Sequence, residues 1–178
     1  MRDFATPWVS PWRPEFVGTL VFLVRAQQVL LIHKKTGHGA GRINGPGGKL
    51  DPGESALACA RRELYEEVGL VAHDLTCRAE MRFVEQNGPQ WLGFAFTGSE
   101  FTGDLVETDE ARPYWCDIQV IPYDNMWPDD AIWLPKIIAA HQDQNSYVDV
   151  ADYLFDDEVL LQHEPSSDAS VWSTFIRP

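Results

Sequence analysis

GKLDPGESALACARRELYEEVGL, residues 48–70, is the stretch on which the fold turns. Leu57, Ala60, Leu64 and Val68 recur at offsets of three and four, which makes one apolar stripe and predicts a helix over about Ser55–Val68. Ser55 suits the N-cap, and Gly69 suits the left-handed position after the last turn. Glu63, Glu66 and Glu67 fall on a face adjoining the apolar stripe, with the small Ala56 and Ala60 beside them. Together with Glu54 they set four glutamates and Arg62 around one short helix, directly after a glycine-rich loop. Carboxylates gathered in this way suit a divalent metal held against a phosphate chain.

The same helix breaks local rules. Glu66 and Glu67 sit near the negative end of the helix dipole, and Glu63 and Glu67 repel at i,i+4. A bound cation reverses the sign of both terms, and without one, removal of the Glu67 charge is expected to relieve repulsion. Unresolved local conflict of this kind points to a functional site. A fragment such as Arg62–Glu67 alone reads as well as a solvated acidic face. The full spacing does not: Gly48, five residues, Glu54, seven residues, then Arg62-Glu63-Leu64-Tyr65-Glu66-Glu67-Val68-Gly69-Leu70. That pattern is the Nudix box with every position filled, and the chain resembles the Nudix (MutT-like) hydrolases.

The chain has 178 residues and a 44% apolar fraction, enough for a single domain with a sizeable core. Its apolar runs, such as Val17–Val24, are too short to span a bilayer, and the N-terminus has no apolar signal core. Cys59, Cys77 and Cys116 form no CxxC pair, which points to free thiols in a reducing cytoplasm. Cys59 reads as a packing residue. A net charge of −13 disfavours nucleic-acid polymers and anionic membranes as partners. From Ala26 to Leu50, however, there is no acid, while Lys34, Lys35, Arg42 and Lys49 are all present. A local basic patch in an acidic protein suits a small polyanion, although ordinary surface lysines would look the same.

Around the helix, Val17–Arg25 and Gln28–His33 read as a strand hairpin, followed by a glycine-rich loop over Thr36–Gly48. Cys77–Glu85 and Gln90–Phe96 read as strands across a turn, Pro113–Ile118 as a short strand, and Tyr153–His163 as a terminal strand or hairpin. Asp129–His141 reads as a second helix, with Pro135 predicting a late start or a bend. Strands interleaved with two helices imply an α/β fold with a mixed sheet covered on both faces. The resemblance narrows this to the Nudix α/β/α sandwich, with an extension over 1–15, the domain over 16–163 and a tail over 164–178.

Two further stretches, HKKTGHGAGRINGPGGKL and VETDEARPYWCDIQVIPYDNMWPDDAIWLP, resemble the oxidised-purine nucleoside triphosphatases (8-oxo-dGTP diphosphatases) of that family. The resemblance runs from about Thr19 to Ile138. It implies Mg²⁺ (or Mn²⁺) held by Glu63, Glu66, Glu67, Glu110 and the Gly47 carbonyl. Glu54 is implied to hold Arg62, which orients the other glutamates. Thr19, Lys34, His38 and Lys49 are implied on the substrate, the two lysines on its phosphates, and Asn44, Trp127, Asp129 and Asp130 on its base. The implied substrate is a nucleotide such as 8-oxo-dGTP or 2-hydroxy-dATP, cleaved to monophosphate and pyrophosphate by a monomer. On residue type alone, Asp129 and Asp130 read equally as helix-terminus acids. His38, Ile43 and Pro46 depart from the aromatics of similar chains, which bears on base selectivity. Two alternatives stay open: another nucleoside diphosphate derivative as substrate, and a non-catalytic ligand sensor.

Overall fold

The structure, a computed structural model, describes residues 13–166. Within it the strands are β1 (Phe16–Arg25), β2 (Gln28–Lys34), β3 (Ile43–Asn44), β4 (Val71–Ala72), β5 (Thr76–Glu85), β6 (Trp91–Gly98), β7 (Phe101–Thr102), β8 (Ala111–Asp117), β9 (Asp149–Asp156) and β10 (Val159–Pro165). The helices are α1 (Ala56–Val68) and α2 (Asp130–Gln142). Most of the expected extension and tail, residues 1–12 and 167–178, lies outside the described residues.

One mixed sheet runs β10-β9-β5-β6-β1-β2-β3, with β8 also on β2. β1 pairs with β6, and β5 with β9, in parallel; the remaining pairs of this sheet are antiparallel. Strand alternation divides the core into two layers. Val21 and Leu23 of β1, with Leu30 and Ile32 of β2, pack against Ala56, Ala60, Leu64 and Val68 of α1. Phe22, Val29 and Leu31 face the other way, onto Trp133, Leu134, Ile137 and Ile138 of α2. This is the α/β/α sandwich.

α1 begins where the sequence places it: Ser55 accepts a hydrogen bond from the Ala58 amide, and Gly69 adopts φ 79° while its N–H bonds back to Tyr65. Ala56 and Ala60, expected beside the glutamates, are instead fully buried in the core. α2 differs from expectation at Pro135, which lies inside a helix that already starts at Asp130. An interior proline costs about 3 kcal/mol. Burial of Trp133, Leu134, Ile137 and Ile138 on the sheet offsets that cost. The terminal hairpin also begins earlier than expected, at Asp149. It turns through Asp157 and Glu158, both at positive φ (49° and 66°), the geometry of a tight two-residue hairpin loop. The small β4–β7 pair was not visible in the residue pattern. Among the described residues, no helix is long and apolar enough to cross a membrane.

Candidate active site

The carboxylate end of the site is built where α1 passes under the loop after β3. Glu67 is 1% exposed, and both its oxygens are engaged. Oε1 accepts from Lys34 Nζ at 2.7 Å, and Oε2 accepts from the Gly47 amide at 2.9 Å. Lys34 comes from the end of β2, so β2, the loop and α1 meet at one carboxylate. Arg62 serves the other three. Its Nε and Nη2 donate to Glu54 at 2.9 and 2.8 Å. Nη1 donates to Glu63 at 2.8 Å and to Glu66 at 3.1 Å, and Nη2 also reaches the Lys49 carbonyl at 3.1 Å. Carboxylates on this side hold the guanidinium far above its ordinary pKa, through the hydrogen bond to Glu54 first. The same bond lowers the Glu54 pKa.

Two glycines make this proximity possible. A Cβ on Gly48 would lie 2.3 Å from Glu63 Oε1, and one on Gly47 would collide with the Thr19 carbonyl. Burial raises the Glu63 pKa, and the neighbouring Glu67 and Glu66 charges add to it against the pull of Arg62. Thr19 is buried, with its hydroxyl 3.3 Å from Cys59 Sγ. Cys59 in turn points to the Gly48 carbonyl, and burial pushes its thiol up to about 12. A thiol in that state is a packing group and not a nucleophile.

The donor set is all-oxygen, the chemistry that hard divalent cations require. The carboxylates do not converge, however. Among the described residues, no group of three or more His, Cys, Asp or Glu is placed to hold a metal. Protein cations stand in that role: Lys34 on Glu67, and Arg62 on Glu63 and Glu66. Glu110 is exposed just before β8, apart from the other three, and shares the cavity wall with Lys34.

From this end a cavity of about 510 Å³ extends beneath the glycine-rich loop. Its lining includes Asn44, Trp127, Asp129 and Asp130, with Met81, Phe83 and Phe155 as apolar wall. Asp129 and Asp130 are 3% and 1% exposed. Asp129 Oδ2 accepts from Trp133 Nε1 at 2.8 Å, and Asp130 Oδ2 accepts from the Trp127 amide at 3.0 Å. Asp129, at the N-cap position of α2, makes no side-chain cap bond. Burial raises both carboxyls, Asp129 to about 6 and Asp130 well above the usual range, with the Asp129 charge adding to the effect on Asp130. Two buried acids that resist ionisation are poorly explained as helix-dipole partners. Asn44 accepts from the Gly45 amide through Oδ1 at 2.8 Å.

His38 and Lys49 also line the cavity. Lys49 Nζ sits 3.6 Å above the Phe16 ring and 4.9 Å from that of Trp91. Sequence reasoning missed Trp91, which opens β6, and Glu158, which sits at the β9–β10 turn. Glu158 closes onto Arg42 at 2.7 Å, and Arg42 stacks over Trp127 at 4.3 Å. Trp91 could have been noticed as an aromatic at a strand start. No local signal marks Glu158, which reaches the site only through the docking of the last hairpin.

The profile of the NUDIX domain matches residues 14–137. The chain is 40% identical over 121 residues to an oxidized purine nucleoside triphosphate hydrolase of Danio rerio, covering 67% of this chain and 78% of that protein. The protein of the same description from Mus musculus is 39% identical over 121 residues, with the same coverage. Among solved structures, a MutT mutator protein of Bacillus halodurans superposes with a TM-score of 0.71 at 23% identity, covering 86% of this chain and 99% of that one. At that identity the likeness is one of fold.

Proposed function

The chain belongs to the NUDIX family, and from that premise we propose that it hydrolyses oxidised purine nucleoside triphosphates, such as 8-oxo-dGTP and 2-hydroxy-dATP, to the monophosphate and pyrophosphate. The observation that carries this reading is one cavity with two chemically distinct sets of groups. Lys34, Lys49 and Glu110 line it, with Lys34 bonded to the Glu67 carboxylate, and so does a buried aspartate pair with Asn44 and Trp127. The activity named for the Danio rerio and Mus musculus relatives supports it.

Nudix hydrolases generally use divalent cations, and we assign Mg²⁺ here, with Mn²⁺ as a substitute. Glu63, Glu66, Glu67, Glu110 and the Gly47 carbonyl would hold it only once the carboxylates turn from Lys34 and Arg62 and converge. When bound, such a cation neutralises phosphate charge and acidifies water. The chain's own groups do the rest. Lys34 and Lys49 attract the phosphates. Glu54 fixes Arg62, and Arg62 fixes Glu63 and Glu66. Water attacks the β-phosphorus and the bond to the oxygen bridging to the α-phosphorus breaks. Glu63 or Glu110 takes the water proton.

At the base end, a protonated member of the Asp129–Asp130 pair donates to an exocyclic oxygen, while its ionised neighbour accepts from ring or amino N–H. The pair thereby accommodates an oxidised guanine or an oxidised adenine. We take the catalytic unit to be residues 16–163 as a monomer acting on a free nucleotide. Free Cys59, Cys77 and Cys116 support a cytoplasmic setting.

The test is hydrolysis in ¹⁸O-water with 8-oxo-dGTP, 2-hydroxy-dATP, dGTP, ADP-ribose and a diadenosine polyphosphate. The expected result is preference for the oxidised purines, with label in pyrophosphate. Label in the monophosphate contradicts attack at the β-phosphorus, and preference for ADP-ribose or the dinucleotide overturns the substrate class.

A further inference from the structure

His38 stands between two tryptophans. Its ring centroid lies 5.0 Å from that of Trp91 with the planes 19° apart, and 5.0 Å from that of Trp127 with the planes 20° apart. Three separate segments build this stack: the start of β6, the loop before α2, and the tip of the glycine-rich loop. Gly37 and Gly39 flank His38 at φ 74° and 81°, left-handed positions that turn the tip inward. Among the described residues, no hydrogen bond holds the imidazole. Stacking alone keeps it there. His38 as a whole residue is exposed, yet desolvation by its surroundings is the main cause holding its pKa below the ordinary histidine value, so a neutral heterocycle stands between the rings near pH 7. All three rings line the same cavity as Asp129 and Asp130.

We propose that His38 is the resident of the base-stacking slot in the free protein, and that the purine enters between Trp91 and Trp127 by displacing it. This rests on the nucleotide reading above. A neutral, planar, nitrogen-bearing ring without hydrogen bonds is the side chain most like a nucleobase in what it offers a tryptophan face. It covers two large apolar surfaces until the substrate arrives, and its hinge is glycine on both sides. Because the resident must leave first, apparent affinity is the intrinsic affinity scaled by the fraction of open slot. His38 therefore lowers the apparent affinity of every base by the same factor, and the choice between bases is left to Asp129 and Asp130. A base that also satisfies Asp129 and Asp130 gains contacts the imidazole does not make, whereas stacking alone gives little advantage over the resident.

The test is equilibrium binding of 8-oxo-dGMP and dGMP, followed by tryptophan fluorescence and calorimetry, to the parent protein and to His38→Ala, His38→Phe and Trp91→Ala. Thermal unfolding verifies that each is folded. His38→Ala should bind both nucleotides about 3–10-fold more tightly and by the same factor, so that their ratio stays as in the parent. His38→Phe, a more apolar resident, should bind both more weakly. Weaker binding by His38→Ala would make His38 a wall that touches the base and would overturn the proposal. Unchanged binding would place the base outside the slot and overturn it equally. If the parent and every variant fail to bind any purine nucleotide, and the hydrolysis panel is blank, the nucleotide reading itself falls. Binding by the parent with no gain in His38→Ala defeats only the displacement.

Discussion

Lys34 and Glu67 form a 2.7 Å ion pair in which the carboxylate is 1% exposed and the ammonium side chain 15%. This lysine sits where the charge of a metal would be felt. If the proposed cation takes the place of the ammonium on Glu67 Oε1, Lys34 is released and can meet a phosphate. Lys34→Gln should therefore lower the Mg²⁺ concentration needed for half-maximal thermal stabilisation of the nucleotide-free protein. It should also raise KM for the nucleotide. A variant needing more Mg²⁺ would show that Lys34 assists metal binding and does not compete with it.

Glu67→Gln should reduce turnover at least about 10²-fold, because charge stabilisation at the metal is worth several kcal/mol in the transition state. Relief of helix repulsion, the sequence-level expectation, would make this variant more stable. The structure reverses that expectation. Glu67 accepts from two donors, Lys34 Nζ and the Gly47 amide, and a glutamine has only one acceptor oxygen. One donor is left facing an NH₂ group, at a cost of about 1–3 kcal/mol. Denaturant unfolding without metal measures the sign.

Arg62→Lys should lower kcat about 10-fold or more while retaining the positive charge. The planar fork reaches Glu54 twice, Glu63, Glu66 and the Lys49 carbonyl, and an ammonium cannot make that set of bonds. A kcat equal to the parent's would remove Arg62 as the positioning residue of Glu63.

Asp129→Asn and Asp130→Asn should each cost about 1.5–3 kcal/mol in binding of an oxidised purine, the value of a charge-assisted hydrogen bond. The Mg²⁺ dependence should stay unchanged, because the bonds of Asp129 and Asp130 run to Trp133 and Trp127 and not to the carboxylate cluster. The ratio of oxidised-guanine to oxidised-adenine activity should shift. Parental kcat/KM and preference in both variants would leave the pair without a role in base reading.

The same pair gives a pH signature. An acid whose pKa is raised on folding stabilises the native state below its unfolded pKa, and that stability is lost as pH rises through the folded value. For Asp129 the window runs from its ordinary 3.8 to about 6. Asp129→Asn cannot ionise and escapes the loss. Its Tm, taken relative to the parent protein, should rise between pH 4 and pH 7 and then level off. A flat difference across that range would show that Asp129 ionises freely when buried.

What could be read from residues alone was whatever rests on local rules. The α1 caps, its apolar stripe and the alternation of β1 and β2 follow from Ser55, Gly69 and the spacing of leucines and valines. The grouping of Arg62 with Glu54 also follows from a spacing motif. The late start expected from Pro135 does not occur, because propensity is local while the burial of Trp133 and Ile137 is not. The state of the carboxylates was hidden for the same reason: nothing in the sequence says that Lys34, 33 positions away, occupies Glu67. The slot around His38 needs three segments that meet only in space.

The pairing of strands sets an order on the birth of the site. Phe16 of β1 lies opposite Trp91, and Ala79 of β5 lies opposite Asp149, so the sheet is closed by contacts between distant parts of the chain. Such topologies form slowly, since the loops they close must be ordered before any contact rewards them. On a ribosome, Lys34, Glu54, Arg62, Glu67 and Glu110 have all emerged well before β9. Phe155 and Glu158, which wall and latch the base end, come last. The lysines and glutamates of the proposed phosphate site thus emerge early, and the cavity wall is completed only when the final hairpin docks.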